Sequence, residues 1–270
     1  MNRTPVVFIH GVWLHALSWE AWVERFASRG FLTVAPGWPG EATAARTVRA
    51  APETLAGLDL ATLTDHYAGI VRSFDVPPVL IGHSVGGLIA QHLIGADVGR
   101  AAVAIAAAPV NDVLLPGAPV PLWRPDQNGG TGADRTVPLS PRTFHQVFAN
   151  TVSRAESDRL FERYGMPAPR RLLADLGCAS TPRSPRAGAD TGNAGRGPLL
   201  LISGQEDRLV PDSVTRTVYK QYGDSTAVTD LKQFADRAHS LVIDGGWRFV
   251  ADYVLGWLED RGVRALVEEG

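Results

Sequence analysis

Val79-Leu80-Ile81-Gly82-His83-Ser84-Val85-Gly86-Gly87-Leu88-Ile89-Ala90-Gln91-His92-Leu93 is an apolar run, a glycine-flanked serine and a helix-like run in immediate succession. The pattern reads as a buried strand, a sharp turn and a helix, with Ser84 at the apex. Such a turn forces the apical residue into a strained backbone conformation, and neighbouring chain passes it closely only where side chains are missing. Gly82, Gly86 and Gly87 supply that room. The turn also sets Ser84 at a helix N-terminus, where unpaired amides and the positive dipole end favour negative charge developing beside it.

A serine hydroxyl is a poor nucleophile alone and needs a base within hydrogen-bond reach and a third group to orient that base. After G-x-S-x-G the expected chain order is acid and then histidine, each on a loop after a strand. Leu199-Leu200-Leu201-Ile202-Ser203-Gly204 is a buried-strand run that ends in Gln205-Glu206-Asp207, followed by Val210-Pro211 at the expected start of a helix. Asp207 is the candidate acid and Glu206 its solvated neighbour. Ala227 to Phe234 alternates partly like an edge strand, and Arg237-Ala238-His239-Ser240 follows before the last helix. His239 is the candidate base. Near the N-terminus, Val6-Val7-Phe8-Ile9 runs into His10-Gly11-Val12-Trp13. Gly11 lets this backbone turn inward, so the amides of Val12 and Val85 are the expected donors to an oxyanion, with Trp13 the alternative to Val12. His10 is expected to brace the loop. Gly11, Trp13 and His83 are expected against the substrate, and His83 also reads as a packing and hydrogen-bonding residue of the turn.

Strand-HGVW, strand-GHSVGG, strand-GQEDRLVP and RAHSLVID stand in the order of the α/β-hydrolase family, which the chain resembles over nearly its whole length. Within it the chain is similar to actinobacterial-type proteins grouped with esterases and non-haem chloroperoxidases. The resemblance implies a mostly parallel sheet with helices on both faces and a Ser84, Asp207, His239 triad. Some relatives draw the acid from the preceding strand, which keeps Asp112 open. The implied reaction is cleavage of a carboxylic ester, thioester or lactone through an acyl-enzyme on Ser84, without a cofactor. Ser84 at the apex differs from the dehalogenase and epoxide hydrolase branches, which use Asp there. Plant hydroxynitrile lyases carry lysine after the catalytic histidine, where this chain has Ser240. An acyltransferase, a lyase, a cofactor-free oxidative enzyme or a hydrolase-like ligand receptor are the competing readings.

A chain of 270 residues can bury a large core. With 26 Lys plus Arg against 28 Asp plus Glu, no broad attraction to nucleic acid or an anionic membrane is implied, and a small ester-like molecule is the expected partner. Neither a signal peptide nor a long apolar run is evident, so a cytoplasmic protein is expected. The single cysteine, Cys178, excludes an internal disulfide, and the seven histidines show no metal-ligand spacing. Gly129-Gly130-Thr131-Gly132 lacks the lysine and hydroxyl residue of a phosphate loop.

Strands and helices alternate along the chain: Trp19, Trp22, Val23 and Phe26 at helical spacing up to Gly30, then Phe31 to Ala35 as a strand ending in Pro36-Gly37-Trp38-Pro39-Gly40. Leu63, Tyr67, Ile70, Val71 and Phe74 mark a second helix, and Ala102 to Ala106 the strand after the serine helix. This alternation predicts a parallel sheet with reactive groups at the carboxyl ends of its strands. Residues 1–109 and 198–270 form the expected core. Residues 110–197 break into Pro- and Gly-punctuated pieces, among them Thr143 to Phe148 and Asp158 to Phe161, and read as a helical cap, with Ser184 to Gly197 a surface connection.

Overall fold

Val79–His83 is fully buried and runs through the middle of a parallel sheet, as an apolar run covered on both faces must. The computed structural model describes residues 2–115, 135–176 and 184–267. Cys178 and the Gly129 to Gly132 loop lie outside the described residues. The strands are β1 (Asn2–Arg3), β2 (Pro5–Ile9), β3 (Leu32–Val34), β4 (Val79–His83), β5 (Ala101–Ile105), β6 (Thr136–Val137), β7 (Ala168–Pro169), β8 (Leu199–Gly204), β9 (Thr229–Phe234) and β10 (Leu266–Val267). The α-helices are α1 (Glu20–Ala27), α2 (Ala45–Ala50), α3 (Leu60–Arg72), α4 (Val85–Gly95), α5 (Pro141–Val147), α6 (Arg154–Tyr164), α7 (Arg170–Asp175), α8 (Asp212–Gln221) and α9 (Trp247–Asp260).

Six strands form the main sheet in the order β3-β2-β4-β5-β8-β9, every pair parallel. The register is continuous through the centre, with Ile9 opposite Gly82 and His83 opposite Ile105. The four inner strands are buried along their length, whereas β9 is only half-buried and Leu32 at the other edge is 42 % exposed. This gradient is what an open sheet with covered faces produces. On one face Trp19, Trp22 and Phe26 close over Phe8, with ring centroids 5.1, 6.3 and 5.4 Å away. The Trp22 indole N–H donates to the Val242 carbonyl at 2.9 Å, tying the first helix to the loop that carries His239. The tryptophans are thus core, as their helical spacing predicts. A second, two-stranded antiparallel pairing joins β1 to β10.

Between β5 and β8 the described chain forms a short β6–β7 ladder and helices α5 to α7. The first two helices are set by serine caps: Ser140 accepts from the Thr143 amide at 3.1 Å, and Ser153 from the Glu156 amide at 3.2 Å. Charged side chains tie helix α6 to the core. Arg163 pairs with Glu20 at 2.6 Å, and Arg49 reaches the Glu162 carboxylate at 2.8 Å and the Gly165 carbonyl at 2.7 Å. The return segment lies closer in than its composition predicts: Ala187 and Arg196 are buried, the latter with its guanidinium over the Tyr222 ring at 5.0 Å. Among the described residues no helix is long and apolar enough to cross a membrane.

Candidate active site

Ser84 links β4 to α4 with φ 56° and ψ −118°, a left-handed conformation that L-residues avoid. Its surroundings hold it there. The Ser84 amide donates to Ile105 O at 3.0 Å, and its carbonyl accepts from the amides of Gly87, Leu88 and Ala108. A Cβ on Gly82 would fall on the Gly86 carbonyl, and one on Gly86 on the Ile9 carbonyl, so the turn closes only on bare backbone. Gly11 is the third such contact: a methyl there would strike the Ser84 Cβ at 2.5 Å. The loop after β2 therefore lies directly against the serine.

His239, in the loop after β9, is fully buried. Its Nδ1 lies 2.7 Å from Asp207 Oδ2, and both side chains are without exposure. The other carboxylate oxygen of Asp207 accepts from the amides of Leu209 and Val210 at 2.8 Å each. With the carboxylate accepting at Nδ1, that nitrogen carries the hydrogen and Nε2 keeps its lone pair. Among the described residues Nε2 has no hydrogen-bond partner. Phe148, at the end of α5, stands edge-on to the imidazole with centroids 4.7 Å apart, and its carbonyl accepts from the Ser240 amide.

His83, the residue before Ser84, packs against His239. Its ring lies 4.6 Å from that of His239, and its Nε2–H donates to the His239 carbonyl at 2.9 Å. Burial, then the charge of His239, pushes its pKa well below the ordinary histidine value, so it stays neutral at neutral pH. Asp112, by contrast, is exposed after β5 and makes no hydrogen bond to His239; Glu206 is exposed, and its carbonyl accepts from Asn150. Of the two candidate acids, only Asp207 meets the imidazole.

Val85 opens α4, so its N–H has no intrahelical acceptor. Val12 is fully buried, and its N–H has no acceptor among the described residues. Trp13 follows with φ 63°, its indole N–H donating to the Val137 carbonyl of β6 at 3.1 Å. His10 is fully buried, stacked on Trp38 with centroids 4.5 Å apart. The sequence reading passes over one group here: Glu41, whose buried carboxylate lies 3.0 Å from His10 Nε2 and 3.2 Å from His15 Nε2. Burial alone would raise its pKa, but the charge of His10, then the charge of His15 and the Ala16 amide, bring it down to about 2. Glu41 follows a turn of Pro and Gly with no periodic signal, so only the fold reveals it. No group of three metal-ligating side chains occurs among the described residues.

A sequence model of the alpha/beta hydrolase family matches residues 6–268. The chain belongs to the α/β-hydrolase family. No curated protein matches it in sequence. Solved α/β-hydrolase structures match in fold at low identity: a methylesterase from Arabidopsis shares 19 % identity and superposes with a TM-score of 0.65, over 95 % of this chain and 99 % of that one. A monoacylglycerol lipase from Paleococcus ferrophilus, also 19 % identical, superposes at 0.67 over 95 % and 94 %. The pyrethroid hydrolase PytH, 18 % identical, superposes at 0.60 over 97 % and 99 %.

Proposed function

We propose that this α/β-hydrolase is a serine esterase that cleaves a carboxylic ester through an acyl-enzyme on Ser84. One observation carries the reading: an imidazole tied at Nδ1 to a buried carboxylate, with Nε2 unpartnered, belongs to a residue whose carbonyl is held by His83, the neighbour of Ser84 on its strained turn. His239 Nε2 takes the Ser84 proton as Oγ attacks the ester carbonyl carbon. The amides of Val12 and Val85 receive the negative charge that forms on the carbonyl oxygen. His239 then returns the proton to the departing alkoxide as the carbon–oxygen bond breaks. A water, deprotonated by the same nitrogen, releases the acid and restores Ser84. Asp207 keeps the hydrogen on Nδ1 and offsets the charge of the imidazolium. The esterase and lipase names of the structural neighbours support an ester over an amide. The segment 110–197 serves in this scheme as the cap that selects the acyl and alcohol groups, with Phe148 and Val137 among its described residues that touch the site.

The test is turnover of a short p-nitrophenyl ester together with labelling by a serine-directed fluorophosphonate. Many turnovers per molecule and a label on Ser84 alone are expected. Ser84→Ala is expected to lower kcat by at least about 10⁴ with folding unchanged, because it deletes one oxygen and no packing. Label on another serine, or activity that survives Ser84→Ala, would overturn the reading; stoichiometric binding without turnover would make the protein a receptor.

A further inference from the structure

The turn Pro36-Gly37-Trp38-Pro39-Gly40-Glu41 after β3 does more than end a strand. It carries a carboxylate into the base of the loop 10–16, where one oxygen, Oε1, accepts from the Ala16 amide at 2.9 Å and lies 3.2 Å from His15 Nε2. The other, Oε2, accepts from the Trp38 amide at 3.0 Å and lies 3.0 Å from His10 Nε2. The Glu41 side chain is 1 % exposed. Its contacts therefore fall at both ends of the segment that contains Gly11, Val12 and Trp13.

The turn is built to hold the carboxylate at that place. A Cβ on Gly37 would stand 3.1 Å from the Glu41 carboxyl carbon, so glycine leaves the space the carboxylate fills. The Glu41 amide closes the turn on the Trp38 carbonyl at 2.9 Å. Helix α3 anchors it from behind, with the Tyr67 hydroxyl donating to Pro36 O at 3.0 Å and His66 Nε2 to Gly37 O at 3.1 Å. The loop that Glu41 holds is under strain of its own: Trp13 sits at φ 63°, and Gly11 is pressed on the Ser84 Cβ. Backbone of this kind keeps its shape only where the surroundings fix it at several points.

We propose that Glu41 is a positioning residue for the oxyanion site: by clamping His10 and Ala16 it fixes the span between them, and so aims the Val12 amide at the charge that develops beside Ser84. This rests on the serine-esterase reading. Glu41 touches no substrate. It acts through the loop, and it acts most where charge has developed, since an oxyanion donor contributes mainly in the transition state.

Glu41→Gln keeps the size but can accept at one oxygen only, so one end of the loop is released. In an ester assay that Ser84→Ala abolishes, kcat is expected to fall about tenfold to a hundredfold with KM within about threefold, somewhat less than the loss of a whole oxyanion donor. Amide hydrogen exchange across residues 10–16 is expected to quicken while β4 and α4 keep their protection. A second variant, Ala16→Pro, removes the N–H that Glu41 Oε1 accepts. His15 is already extended at φ −77° and ψ 156°, which suits a residue before proline, and Ala16 opens a 3-10 turn, where proline is tolerated. It is expected to lower kcat in the same sense and by a smaller factor. An unchanged kcat in Glu41→Gln, or a loss shared by KM and by exchange throughout the sheet, would overturn the positioning role. Failure of the esterase reading shows instead in the wild-type protein, as absent turnover or turnover that survives Ser84→Ala. In that event unchanged exchange over residues 10–16 in Glu41→Gln still overturns the clamp.

Discussion

Two buried carboxylate–histidine pairs flank Ser84, one on each side of the sheet's centre. Asp207 and His239 come from the loops after β8 and β9; Glu41 and His10 come from those after β3 and β2. Both carboxylates spend part of their capacity on backbone amides, Leu209 and Val210 for Asp207, Ala16 and Trp38 for Glu41. The difference lies in what the imidazole has left. His239 meets Asp207 through Nδ1 and leaves Nε2 without a partner, whereas His10 turns Nε2 toward Glu41 at 3.0 Å and Nδ1 toward the Gly11 carbonyl. In the proposed scheme the first pair moves a proton, and the second holds a backbone still. In that scheme the same two residue types serve chemistry or support according to which nitrogen the carboxylate takes.

The sharpest way to break that contrast is Asp207→Asn, which keeps the shape but favours the wrong imidazole tautomer; kcat on the p-nitrophenyl ester is expected to fall on the order of 10⁴. The matching change on the other pair, Glu41→Gln, is expected to have an effect at least a hundred times smaller in the same steady-state assay. Equal losses would mean that both pairs carry protons.

Acid unfolding separates the pairs by stability rather than rate. Glu41 titrates near 4.5 when unfolded and at about 2 when folded, so the folded state alone keeps it ionised between those values. Its stabilisation is full above pH 4.5 and is lost as pH falls toward 2, with a size on the order of 3 kcal/mol from the linkage of protons to folding. The gap in urea midpoint between wild type and Glu41→Gln should therefore narrow steadily over that window, and a constant gap would show that the carboxylate gains nothing from its partners. His83 acts in a higher window. Its pKa is depressed by burial, so the unfolded chain binds a proton that the folded one refuses, and stability begins to fall as pH drops through about 6.5. His83→Gln is expected to remove that upper part of the acid limb, read by the same melts.

Smaller still are the changes outside both pairs. Arg163→Ala breaks a largely exposed pair with Glu20 and is expected to lower stability by no more than about 1 kcal/mol, an effect that salt reduces further. Asp112→Asn is expected to leave kcat within twofold, because Asp112 is exposed and does not contact the imidazole.

What could be read in advance follows the same division. The turn at Ser84 is legible because strand, glycines and helix are adjacent in the chain and each leaves its own local mark. Asp207 and His239 are legible because each follows a strand. Glu41 is not, since its partners His10 and Ala16 lie 31 and 25 positions away, and nothing periodic surrounds it. The helix α2, Ala45–Ala50, likewise lacks an apolar stripe and is recognisable only by its packing on α6. His83 shows the limit within the motif itself: its place beside Ser84 does not say that its ring is buried and donates to the carbonyl of His239. A sequence specifies which residue is present at a turn, and burial decides which way it faces.

The edge position of β9 has a consequence for the order in which the protein comes into being. Ser84 follows a central strand and leaves the ribosome 155 positions before His239, the base of the proposed triad, which lies beyond the edge strand β9. A nascent chain can pair β2, β4 and β5 and already hold the serine on its turn, yet it lacks the base of the proposed triad. On the serine-esterase reading the hydroxyl stays chemically quiet through most of synthesis, and reactivity arrives together with completion of the sheet.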